Sequence, residues 1–262
     1  MRARFPLPAL TLAVVAVAFL GLPFVGLVWR APWGSLFDVL GRGEVQDALW
    51  LSLRTSLAAT VVAIVLGVPL AWLLATVDFP GRAFVRALCT LSMVLPPVVG
   101  GVALFAAFGR RGLFGQWLDR WFDLRLPFTT WGVVVAQAFV AMPFLVITVE
   151  AALRQFDGRY EQAARTLGAS PVYAFRRVML PAIRPALIAG TVLAWARALG
   201  EFGATITFAG NLPGRTQTMP LATYLALDVD PPEALIMSLI LVAVSFAVLV
   251  GLRDRWLGGL RT

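Results

Sequence analysis

Arg197 and Glu201 stand four residues apart inside an otherwise apolar stretch. On a helix this spacing puts both on one face, where guanidinium and carboxylate neutralise each other. A charge at the centre of a bilayer costs roughly 2.5–3.5 kcal/mol on insertion scales, so such a pair belongs against protein or a water-filled path. Two roles are open to it: a gate or lining element for a charged passenger, or a staple holding helices in register. Prolines form a second candidate set. Pro96-Pro97 precede Gly100-Gly101, Pro69 lies two residues after Gly67, and Met142-Pro143 interrupts another apolar run. A proline inside a span frees a backbone carbonyl, which fits either an ordinary packed kink or the wall of a wet path.

The residues that are missing narrow the chemistry. There is no His, Cys89 is the only cysteine, and all 22 basic residues are Arg. Serine-histidine catalysis and the commonest metal ligand are therefore excluded. Cys89 can form neither an internal disulfide nor a Cys-x-x-Cys site and reads as a small buried apolar residue. Without Lys, a P-loop cannot reach nucleotide phosphates, so any ATP-driven work must come from a partner and no cofactor is expected in this chain. An intramembrane enzyme would need paired carboxylates or a Ser-Lys couple, and Ser92 and Ser245 have no such company. An ion-coupled secondary transporter would normally carry internal repeats and several membrane carboxylates, whereas Glu201 stands alone and already has a partner.

The elements that position these residues follow from composition. The chain has 262 residues, 60% apolar and 14% charged, with a mean hydropathy of +0.83; a soluble domain carries about 25% charged residues. Crossing a bilayer takes about 20 mostly apolar residues. Six stretches meet that length, at about 9–29, 56–77, 88–108, 131–149, 185–209 and 234–252. They predict an all-α integral membrane protein with six transmembrane helices in a single domain, 1–262. The first stretch follows Arg2 and Arg4 but runs past Ala16-Val17-Ala18 and is longer than a signal-peptide core, so it is expected to be a retained span. With the N-terminus inside, thirteen arginines fall on cytoplasmic pieces and eight on outer ones. That bias places both termini in the cytoplasm. The net charge of +8 flanks apolar runs instead of forming a stripe, which argues for membrane topology and against nucleic acid.

The connection 150–184 is polar and dense in helix punctuation. Asp157 can cap a short helix from Tyr160 to Leu167, Gly168 can close it, and Ser170-Pro171 can start a second that ends at Leu180-Pro181. Tyr160, Ala163, Ala164 and Leu167 would then share one face. Two arrangements are open: a rigid knob accepted by a groove on another protein, or a re-entrant loop packed on the chain's own spans.

Gln162-Ala163-Ala164, Gly168 and Val178-Met179-Leu180-Pro181 follow the pattern E-A-A-x-x-x-G, nine residues, I-x-L-P. The segment resembles the signature loop of permease subunits of bacterial ABC importers. Gln162 stands where that family usually has Glu, with Glu161 adjacent, and Val178 where it has Ile. The resemblance implies that the loop inserts into a cleft on a separate ATP-binding subunit and transmits its opening and closing, with ATP and magnesium held by that partner.

The run from Trp195 to Asn211 and on through Pro213 to Thr218, with Leu95-Pro96-Pro97-Val98-Val99 and Gly109-Arg110-Arg111-Gly112, is similar to the molybdate permease branch of that family. Sulfate and thiosulfate permeases share the Gly200-Glu201-Phe202-Gly203 core. The resemblance covers most of residues 48–228 and implies an inner-membrane permease of type I ABC importer fold. It would work as a homodimer with two ATP-binding subunits and an extracytoplasmic binding protein, carrying molybdate, tungstate or sulfate. A permease should hold its passenger weakly. Thr205 and Thr207 offer hydroxyl donors without trapping a dianion, whereas an unpaired Arg197 would hold it too tightly.

Overall fold

The computed structural model describes residues 7–257. Arg2, Arg4 and Arg261, used in the charge count, lie outside these residues, as do the side chains of Arg253 and Arg255. All the regular structure among the described residues is helical. In chain order come α1 (Leu7–Arg30), α2 (Leu36–Gly41), α3 (Gly43–Thr76), α4 (Arg82–Val94), α5 (Pro97–Phe108), α6 (Gly115–Phe122) and α7 (Thr130–Gln155). After these follow α8 (Gly158–Thr166), α9 (Pro171–Ala174), α10 (Leu180–Ala182), α11 (Arg184–Leu199), α12 (Gly203–Phe208), α13 (Met219–Val229) and α14 (Pro231–Leu257).

Among the described residues, four helices are continuous, long and apolar enough to span a bilayer: α1, α3, α7 and most of α14. The other two expected spans are each broken. The 88–108 stretch divides into α4 and α5 because Leu95 and Pro96 are extended, with ψ of 135° and 131°. A residue before proline is pushed out of the helical region, and here two such residues follow in sequence. The 185–209 stretch divides at Gly200–Phe202, so Arg197 lies in the last turn of α11 while Glu201 lies beyond it, and the single helix expected to carry both is replaced by a helix and its break.

Packing is organised on α7. A core of small and branched side chains joins α3 (Ala59, Ala63, Ala71) to α7 (Ala138, Ala141, Leu145, Val149) and α11 (Ala194, Ala198). Without a hydrophobic drive between helices in lipid, small residues let backbones approach until van der Waals contact suffices. At Gly67 a Cβ would already lie 3.2 Å from Val146, and at Gly190 3.0 Å from Leu145. A second contact layer brings α5 and α12 onto the other end of α7 through Leu104, Val140, Ala204 and Phe208. In contrast, α1 is apolar all round and none of its spanning window is buried, the pattern of a lipid-facing helix.

Candidate functional site

The 158–182 segment is a pair of short helices whose turns are closed by side chains and backbone. The Asp157 carboxylate accepts the Arg159 backbone N–H at 3.0 Å and its guanidinium at 2.6 Å, and this guanidinium first, then the N–H, holds the carboxyl below its ordinary range. At the far end of α8, Gly168 donates to the Arg165 carbonyl (2.9 Å) and Ala169 to that of Ala164 (3.0 Å). Gly168 sits at φ +87°, a conformation that costs other L-residues roughly 1–2 kcal/mol. Ser170 Oγ then accepts from the Tyr173 N–H at 3.2 Å, with Pro171 at the first turn of α9. The helix ends one residue past the expected Leu180-Pro181, and on the way it widens into a π-turn at Phe175–Met179 before closing with α10 at Ala182. Pro181 has no N–H to give to the i−4 carbonyl and its ring would strike it; a wider turn avoids both problems. The chain then bends by 78° into α11.

These closures hold an apolar face open. Tyr160 is 64% exposed and Leu167 89% exposed; Gln162 and Ala163 are exposed, and Ala164 is half-buried. The Glu161 side chain lies outside the described residues. The second helix turns its other side inward: Ala174 and Met179 are buried, Phe175 meets Trp72 of α3 at 5.4 Å between ring centres, Leu180 is half-buried and Pro181 exposed.

Of the candidate path residues, some meet. Arg197 Nη1 lies 2.6 Å from Glu201 Oε2, with the Glu201 side chain fully buried and that of Arg197 28% exposed. The contact is an ion pair without hydrogen-bond alignment, while Glu201 Oε1 accepts the Ala204 N–H at 2.8 Å and so starts α12. Pro97 and Thr207 sit where α5 and α12 touch backbone to backbone. A Cβ at Gly203 would lie 2.8 Å from Pro97, and one at Gly101 2.6 Å from Thr207. The Thr207 hydroxyl is spent on the Gly203 carbonyl. Thr205 is fully buried, its hydroxyl without a partner among the described residues. Pro96 is exposed.

Sequence reasoning missed a cluster at the knob end of the bundle. Buried Glu150 on α7 receives Arg86 of α4 at 2.7 Å and Arg154 at 3.0 Å on the same oxygen. The Leu74 carbonyl at the end of α3 accepts from Arg82 at 2.9 Å and from Arg86 and Arg154 at 3.4 Å. Cations at a helix C-terminus are favourable, and here they tie three helix ends together immediately ahead of α8. The Glu150–Arg154 spacing was the only trace of this in the sequence.

Residues 63–258 match the family described as binding-protein-dependent transport system inner membrane component. The chain belongs to this family. The permease is 44% identical over 243 residues to the molybdenum transport system permease protein ModB of Mycobacterium tuberculosis, covering 93% of this chain and 92% of that one. It is 38% identical over 232 residues to the sulfate transport system permease protein CysT of Salmonella typhimurium, covering 87% and 83%. Its fold resembles a bacterial ABC transporter that imports the acidic polysaccharide alginate, with a TM-score of 0.77 at 17% identity over 95% of this chain and 94% of that chain. The permease therefore has the ABC importer type I architecture, and the knob falls inside the family match.

Proposed function

We propose that this permease moves a tetrahedral oxyanion, molybdate or tungstate, into the cytoplasm as the membrane subunit of an ABC importer. The observation that carries the substrate is the 44% identity to a molybdenum permease over nearly the whole chain. The closed turns and uncovered face of α8 support the drive: a separate ATPase, holding ATP and magnesium, grips the 150–184 loop on the cytoplasmic side, where both termini also lie. Two copies of the chain, two ATP-binding subunits and an extracytoplasmic oxyanion-binding protein make the assembly. Closure of the ATPases brings the two knobs together and opens the path outward; hydrolysis resets it, and the passenger leaves inward. A stiff connection is required, because a floppy loop would absorb the motion. The charged pair and the α5–α12 seam form the path or its gate. Sulfate or thiosulfate is the second reading, favoured by the 38% identity to a sulfate permease. The test is the oxyanion that stimulates ATP hydrolysis by the reconstituted complex: molybdate or tungstate at low concentration supports the proposal, and stimulation by sulfate alone overturns the substrate.

A further inference from the structure

The connection between α5 and α7 contains a helix that neither the transport path nor the knob uses. Phe114, which precedes α6, and Trp117, Leu118, Trp121 and Phe122 within it recur at the 3.6-residue period along one face, with Gln116, Asp119 and Arg120 on the other. The apolar face is uncovered: Trp121 is 69% exposed and Phe122 72% exposed. The helix is nevertheless fixed in place. Leu113 and Phe114 donate to the last carbonyls of α5, those of Ala106 (3.1 Å) and Ala107 (2.8 Å). A Cβ at Gly115 would lie 1.9 Å from the Gly109 carbonyl oxygen, so this corner admits only glycine. The polar side closes on itself, Asp119 taking Arg110 at 3.1 Å and Arg125 at 2.7 Å; the Arg125 guanidinium first holds the Asp119 carboxyl below its ordinary range.

What covers the apolar face is indicated by its neighbours. Arg154 of α7 reaches the Leu74 carbonyl of α3, so α3 and α7 run parallel and their N-termini share the end remote from the knob. Exposed tryptophans gather at that end, among them Trp29 in the last turn of α1, Trp33 just after it, Trp50 of α3 and Trp131 of α7. Tryptophan collects at the headgroup level of a bilayer because its ring is apolar and its N–H polar. In α6 the Arg120 guanidinium lies 5.6 Å from the Trp117 ring centre, and Trp117 meets Trp121 edge-on at 5.9 Å. Arg111 is exposed and has no acidic partner among the described residues. An uncovered aromatic face beside unneutralised cations, within a belt of tryptophans, fits phospholipid headgroups better than the surface of another protein.

We propose that α6 is an interfacial anchor lying in the headgroup layer at the end opposite the knob, with Trp121 and Phe122 at the acyl boundary and Arg111 and Arg120 on lipid phosphates. The proposal rests on the bilayer-spanning reading of the chain. It is tested with the full-length chain carrying Cys89→Ala and a single fluorescently labelled cysteine, Trp121→Cys or Gln116→Cys, in phosphatidylcholine–phosphatidylglycerol vesicles. Brominated acyl chains should quench the label at 121 several-fold more than that at 116, and aqueous iodide should do the reverse. Phe122→Cys repeats the measurement should Trp121→Cys fail to insert. A third label, Val15→Cys in mid-α1, must be quenched by brominated lipid; failure there refutes the bilayer reading, whereas failure at 121 and 122 alone refutes the anchor. Protection at 121 that appears only on adding the extracytoplasmic binding protein, or only at high protein-to-lipid ratio, assigns the face to a protein partner and overturns the proposal. Replacing Arg111 and Arg120 together by Gln should weaken the dependence of the quenching on phosphatidylglycerol content; unchanged dependence removes the arginines from the anchor.

Discussion

Replacing Arg197 by Ala leaves the fully buried Glu201 carboxylate without its cation. Breaking a buried pair from one side costs about 3–5 kcal/mol, because the remaining charge has neither water nor partner. A second change, Glu201→Gln, removes that charge and keeps Oε1 as acceptor for the Ala204 N–H that starts α12. What remains is an amide N–H₂ short of acceptors, about 1–3 kcal/mol. The double variant should therefore regain roughly 2 kcal/mol, within the range that contacting residues show in double-mutant cycles. In a chain of this size each kcal/mol moves the melting point by about 2–4 °C, so the two variants should differ by about 4–8 °C. Cys89, the chain's only thiol and half-buried in α4, is the reporter: a thiol-reactive dye, followed during heating in detergent, reads unfolding directly. Equal melting points for the single and double variants would refute the pairing argument. Transport by the double variant then separates the two roles, since a staple restored in stability restores uptake, whereas a gate does not.

Gly168→Pro removes both the positive φ and the N–H that closes α8; at about 3 kcal/mol or more of local cost, uptake should vanish while membrane insertion persists, and normal uptake counts against a rigid knob. Gly101→Ala drives a Cβ to within 2.9 Å of the Ala204 carbonyl oxygen and should lower stability by about 1–3 kcal/mol, measured by the same dye; Gly34→Ala, with nothing within 4 Å, is the control. Glu150→Gln should loosen the joint between Arg86 and Arg154 ahead of the knob and lower the oxyanion imported per ATP hydrolysed. An unchanged ratio removes Glu150 from coupling.

Local chemistry was legible and long-range contact was not. Asp157, Gly168 and Ser170-Pro171 do in space what their spacing indicates, because capping is decided within a few residues. The break at Pro96-Pro97 was visible as punctuation, yet a hydropathy window averages over it and returns one span. The break at Gly200–Phe202 has no proline to announce it; it depends on the Glu201 side chain bonding forward to Ala204. The helix α3 begins at Gly43, well before the expected position 56, because Glu44, Asp47 and Arg54 interrupt the apolar run without interrupting the helix. Arg86 lies 64 residues from Glu150, a separation at which no spacing rule operates, and so the joint at the base of the knob stayed hidden.

The claim that a separate motor drives this chain through α8 is tested most directly at Leu167, 89% exposed at the tip of the knob. In the Cys89→Ala background, Leu167→Cys should cross-link to the ATP-binding subunit in membranes and resist a membrane-impermeant thiol reagent added to intact cells. Labelling from outside the cell, with no cross-link to any nucleotide-hydrolysing protein, would contradict the account.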